Sequence, residues 1–203
     1  MKIIVVTEYA LSNNNQEETS FNNQFPVVLM KADSTLLKDG KPLFVPHFTQ
    51  CLVGTFHVAV RICRLGKSIP RRFAHRYYDA VTVALDVCAD DVRRQLSASG
   101  LPWDNATQFD GSTVVGDFIE TQGRPLGDIG LKGYYSQSEV ASFSLAEMHS
   151  RVDELIERLS VNMQLRQGDL LLCGAVAPAC RLDIGGHVHA ELNGVGVLDF
   201  NVR

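Results

Sequence analysis

The chain has 203 residues, 45% of them hydrophobic and 21% charged, which suits one domain with a continuous core and leaves too little for a second full domain. Formal net charge is −4, and the basic residues are dispersed apart from Arg71, Arg72 and Arg76 and from Arg93 and Arg94, so no nucleic-acid footprint is present. No apolar run has the length of a membrane span, and Met1 to Val6 passes straight into Thr7 and Glu8 without a cleavage site; a cytoplasmic chain with no membrane partner is expected.

In chain order, β-branched runs bounded by turn signals predict strands at Ile3–Val6, Val27–Met30, Phe56–Ile62, Val81–Val87, Leu170–Cys173 and Val195–Phe200. Between the first two, the polar stretch 12–24 has no period and reads as a mobile surface loop. One helix is predicted to open near Asp90 and stop at Gly100. A longer one starts with the capping box Ser144-x-x-Glu147 and repeats Leu145, Met148, Val152, Leu155, Ile156 and Leu159, a single apolar face that must pack on a sheet. The five cysteines are an odd number without CxxC or zinc-site spacing, and most lie in apolar runs, which predicts buried reduced thiols. Internal repeats, a P-loop and a GxGxxG fingerprint are all missing, which removes the commonest nucleotide-binding readings.

Alternation along Val81–Cys88 puts Val81, Val83, Leu85 and Val87 on one face and Thr82, Ala84, Asp86 and Cys88 on the other, a small polar face fit to floor a pocket. Thr55 and His57 likewise share a face of their strand, so an acid, a histidine and a hydroxyl can converge. A buried carboxylate must be paired, ligate a metal or stay protonated. Asp86 therefore reads as a metal ligand or acid/base, or as a carboxylate hydrogen-bonded to Thr82 or a nearby turn. His57 reads as a ligand or as a satisfied core histidine. His187-Val188-His189-Ala190-Glu191 projects alternate residues from one strand face as a metal pair would, yet its flanking glycines fit a solvated surface strand.

The order of several segments together resembles the fumarylacetoacetate hydrolase family, in its acylpyruvase, oxaloacetate-decarboxylase-like and 2-hydroxyhepta-2,4-diene-1,7-dioate isomerase-like branch. These are Pro26–Lys31 with Ser34 and Leu36; Ile62–Ile69; Tyr77-Tyr78-Asp79 leading to Asp86; Gly100-Leu101-Pro102-Trp103; Phe109-Asp110-Gly111-Ser112 with Gly116; Gly168-Asp169-Leu170 with Gly174; and Gly194–Leu198. The resemblance implies an α+β, β-rich mixed roll with few helices, one domain over 1–203, and a homodimer. It also implies Mg²⁺ or Mn²⁺ held by a Glu-x-Glu pair and a later Asp, gripping the enolate of a small keto- or 2-hydroxydienoate acid while a C–C bond breaks or a double bond migrates.

By that resemblance Thr55 and His57 stand where the two glutamates belong, and Asp86 alone remains of the metal carboxylates. The lysine facing the substrate oxyanion is Thr107, the family's Asn-Tyr pair reads Glu8-Tyr9, and Cys173-Gly174-Ala175-Val176 replaces Thr-Gly-Thr-Pro. Tyr9, Asp110, Gln137, Cys173 and Gly174 are the expected substrate contacts. One negative charge facing a divalent ion predicts weak or lost metal-dependent hydrolase, isomerase or decarboxylase activity. The alternatives are a non-catalytic homologue binding an organic acid or a protein partner, and a new metal site at His57 and Asp86.

Overall fold

The computed structural model describes residues 1–6, 26–147, 151–174 and 179–203. Its elements run β1 (Lys2–Val6), β2 (Val28–Ala32), β3 (Leu36–Leu37), β4 (Leu52–Ile62), β5 (Tyr78–Ala89), α1 (Asp90–Ala98), β6 (Thr113–Val115), β7 (Ile119–Glu120), β8 (Gly130–Tyr135), β9 (Ser138–Ser144), α2 (Val152–Asn162), β10 (Leu170–Cys173), β11 (Cys180–Arg181), β12 (His187–Leu192) and β13 (Val195–Asn201). The class is α+β and strand-rich, as expected. The six predicted strands all form, most extending past their apolar runs because the ladder pairs polar residues too.

The larger sheet has the order β2-β1-β10-β4-β5-β6-β3, with β11 on β4 and β7 on β5. Its centre is the long antiparallel pair β4–β5, in register from Leu52 opposite Ala89 to Arg61 opposite Ala80, with a one-residue shift before Ile62 meets Tyr78. The two ends of the path, β2 and β3, are joined by one 3-10 turn at Asp33–Thr35, so the sheet curls into a roll. Side chains hold the seam. Thr35 Oγ1 donates to the Ala32 carbonyl and lies 3.0 Å from Thr113 Oγ1, while the Gln108 amide donates to the Met30 carbonyl and accepts from Ala32 N–H.

Strand alternation sorts two cores. Phe56, Val58 and Val60 of β4 and Val81, Val83, Leu85 and Val87 of β5 face the second sheet, β13-β12-β8-β9, and α2 joins the same core through Val152, Leu155, Ile156 and Leu159. The opposite face packs Ile3, Val5, Ala59, Ala84, Val115, Leu170 and Leu172 inside the roll.

Two sequence expectations need correction. The long helix begins at Val152, well after Ser144, because β9 claims Ser144 as a ladder partner of Gly130 and the Ser144 hydroxyl accepts from Ala146 N–H; Leu145–Glu147 forms a 3-10 turn instead. None of the five cysteines is in a disulfide, as expected, but Cys173 alone is fully buried and the other four are half-buried. The expected loop at 12–24 lies outside the described residues.

Candidate functional site

Position 55 is paired directly with position 86 across β4–β5, and His57 is opposite Ala84 two residues further into the roll. Thr55, His57 and Asp86 therefore share one face, as alternation predicted. Exposure grades along it: the Asp86 side chain is 14% exposed, Thr55 and Cys88 are half-buried, and His57 is buried. The mouth of the site is at the Thr55, Asp86 and Cys88 end.

Asp86 takes a partner that sequence reasoning did not assign. Lys31, from β2 on the far side of the roll, reaches through the interior and places Nζ 2.7 Å from Asp86 Oδ1 and 2.6 Å from the Ser112 carbonyl. Its side chain is fully buried, and it is the one buried lysine among the described residues. A signal existed in the sequence, since alternation in Leu29-Met30-Lys31 places Lys31 on the face of Leu29, which packs against the roll's interior core. A charge on such a face requires a counter-charge. The hydrogen bond from Thr82 to Asp86 that the sequence left open does not form; Thr82 Oγ1 is buried without a partner.

The electrostatics follow from burial. Desolvation, opposed by Asp86, holds the Lys31 ammonium below its usual range. Burial also lowers His57 from 6.5 to about 4, Asp86 opposing and Lys31 adding to the depression, so the imidazole is neutral near pH 7; its Nδ1 has no hydrogen-bond partner. Cys88 is pushed up to about 11, chiefly by burial and next by Asp86, which leaves a thiol and no thiolate nucleophile.

The remaining expected site residues are dispersed. Thr107 is buried in its own turn, its Oγ1 donating to the Asp104 carbonyl at 3.2 Å, and its carbonyl accepts from Ser112 Oγ at 2.6 Å. It thus supports the segment that offers the Ser112 carbonyl to Lys31, and it cannot supply the charge of a lysine. Asp110 is exposed in the turn closed by Ser112 N–H on the Phe109 carbonyl. Gln137 is exposed at the tip of the β8–β9 hairpin, with φ of 73°. The Cys173 side chain belongs to the core between the sheets, away from His57, and donates to the Val58 carbonyl at 3.4 Å, so only its backbone can face the roll's interior. Gly174 follows with φ of 77°. Tyr9 and Glu8 lie outside the described residues.

The pair His187 and His189 is on β12 as expected for a surface strand. His187 Nε2 is 3.0 Å and His189 Nδ1 3.1 Å from the two oxygens of Asp199 on β13, and His189 Nε2 is 3.5 Å from Glu191. These groups satisfy one another across the ladder.

Among the described residues no three His, Cys, Asp or Glu side chains are arranged to hold a metal ion. The chemistry of the residues at positions 55, 57 and 86 agrees. Mg²⁺ and Mn²⁺ favour oxygen ligands and rely on carboxylate charge to offset dehydration. Here the one carboxylate is neutralised by an ammonium at 2.7 Å, and its neighbours are a hydroxyl and a neutral imidazole. This donor set does not fit either ion.

Comparison with known proteins places these features in a family context. The model of the fumarylacetoacetate (FAA) hydrolase C-terminal domain matches residues 5–203. The mitochondrial oxaloacetate tautomerase FAHD1 of Arabidopsis thaliana is 26% identical over 179 residues, covering 88% of this chain and 80% of that protein. Among solved structures, fumarylpyruvate hydrolase from Pseudomonas aeruginosa in complex with Mn²⁺ and pyruvate superposes with a TM-score of 0.87 at 19% identity, covering 100% of this chain and 89% of that one. The 2-hydroxyhepta-2,4-diene-1,7-dioate isomerase from Mycobacterium marinum gives 0.82 at 24% identity, covering 99% and 73%. With the family model spanning nearly its whole length, and with the rolled sheet in place, the chain belongs to the fumarylacetoacetate hydrolase family.

Proposed function

We propose that this chain binds a small 2-oxo or 2-hydroxy acid at the mouth formed by Thr55, Asp86 and Cys88, and that the hydrolase, isomerase or decarboxylase chemistry of its family is weak or lost in it. The observation that carries this reading is the charge on the shared face: a hydroxyl at Thr55 and a neutral imidazole at His57 flank Asp86, whose single charge Lys31 balances at 2.7 Å. The Lys31 ammonium is engaged by that acid and by the Ser112 carbonyl, so the described face offers a substrate carbonyl no uncompensated charge. The vacant lysine position adds to this. Deleting one donor aimed at developing negative charge costs about 10²–10³ in rate elsewhere, and Thr107 is folded into its own turn. The ligand class follows from the relatives, one named for oxaloacetate tautomerisation and another solved with pyruvate bound.

Calorimetric titration with pyruvate and oxaloacetate, alongside an oxaloacetate turnover assay, tests the reading. Saturable binding is expected, weakened at least about tenfold by Lys31→Met, which leaves the Asp86 carboxylate uncompensated against an anionic ligand, with turnover near the uncatalysed rate. Rapid Mg²⁺-dependent turnover abolished by Asp86→Asn would overturn it, as would a complete lack of binding by either acid.

A further inference from the structure

We infer that this chain has left divalent-metal chemistry: the positions that would carry the ligand charge form instead a charge-neutral cluster of Lys31, Asp86, His57 and Thr55, and whatever ligand enters the mouth binds without a metal ion. This rests on the proposed organic-acid site and specifies how that site works.

The argument is one of charge. A divalent ion in a partly dehydrated protein site needs compensating anions, because the neutral oxygens of hydroxyls and carbonyls do not repay the lost hydration alone. On this face of the roll Asp86 supplies one negative charge and Lys31 cancels it at 2.7 Å. The ammonium is fixed there. Its side chain is fully buried, and a second hydrogen bond ties it to the Ser112 carbonyl, which itself also accepts from Val87 N–H in the adjoining ladder. A metal arriving beside Asp86 would meet this trapped positive charge, and at such separations in a protein interior like-charge repulsion is strong.

The same count predicts how to reverse the loss. Glutamates at positions 55 and 57 would bring the face to three acids against one ammonium, a net charge of −2 that a divalent ion balances. Thr55 is half-buried opposite Asp86, so a carboxylate there has both solvent and the ladder gap to occupy; position 57 is deeper, within the influence of both Asp86 and Lys31.

Calorimetry and thermal unfolding with MnCl₂ and with MgCl₂, on protein purified in chelator, decide the matter. The natural chain should show no stoichiometric binding and no shift in Tm with either ion. Thr55→Glu/His57→Glu should bind Mn²⁺ at least about a hundredfold more tightly than the natural chain and be stabilised by it. If the double variant fails to fold, Thr55→Glu alone should still gain measurable affinity. Tight binding of one ion per chain by the natural protein, with Glu8, Glu17 or Glu18 from residues 7–25 supplying the missing charge, would overturn the inference, as would folded variants that gain nothing. The organic-acid titrations read separately: a chain that binds pyruvate with or without chelator supports both proposals, whereas one that binds Mn²⁺ tightly and pyruvate only with it defeats this inference alone.

Discussion

Substituting Lys31 with methionine is expected to destabilise the fold by about 3–5 kcal/mol, the range found when one partner of a buried ion pair is removed and the other charge is left behind. Methionine keeps most of the length and apolar volume of the lysine stem, so packing changes little. The loss falls on Asp86, whose carboxylate is 14% exposed and would have to rehydrate through the mouth. Ser112 is less affected, because its carbonyl keeps the bond from Val87 N–H. The effect should therefore lie near the lower end of the range. Removing both charges together, as Lys31→Met/Asp86→Leu, should recover most of it, since an apolar pair of similar size has no desolvation penalty to offset. Urea unfolding at pH 7 with an unchanged m-value is the measurement. A Lys31→Met variant within about 0.5 kcal/mol of the natural chain, or a double variant as unstable as the sum of the singles, would show that the two groups do not depend on each other for burial.

That coupling also marks the boundary between what the sequence disclosed and what it concealed. Period-two alternation is local, so the two faces of β4 and β5 were readable from Phe56, Val58 and Val60 and from Val81 to Cys88, and the convergence of Thr55, His57 and Asp86 followed from register. Lys31 and Asp86 are 55 residues apart and meet only because the sheet curls. Curling depends on the Asp33–Thr35 turn and the Gln108 bridge, neither of which has a hydrophobic period to announce it. The start of α2 was misplaced for a related reason: Ser144-x-x-Glu147 satisfies the local rule for a helix start, but a cross-strand partner, Gly130, had a prior hold on Ser144. Cys173 was drawn to the site by its place in a family motif, whereas strand parity turns its side chain into the core between the sheets.

Acid is expected to weaken the natural chain by about 3 kcal/mol between pH 6.5 and pH 4 through His57 alone. The folded protein holds this imidazole neutral down to about 4, against 6.5 for an ordinary histidine, and at about 1.4 kcal/mol per pH unit the gap sets the size of the effect. The sign follows from which state binds the proton. Below pH 6.5 the unfolded chain takes up a proton that the folded chain refuses, so stability is fully present above that pH, falls as pH decreases, and levels off once both states are protonated below about 4. Burial is the larger cause of the refusal, and Lys31 adds to it, so the same ammonium that neutralises Asp86 helps to keep His57 uncharged. Acid acts on many groups at once, which makes the informative quantity a difference between variants. His57→Leu has nothing to protonate at that position and also removes the unpartnered Nδ1. Its stability, measured by urea unfolding from pH 7 to pH 4, should fall by about 3 kcal/mol less than that of the natural chain. Parallel curves would mean that the folded chain protonates His57 as readily as the unfolded chain does, and that the interior of the roll tolerates a second cation beside Lys31.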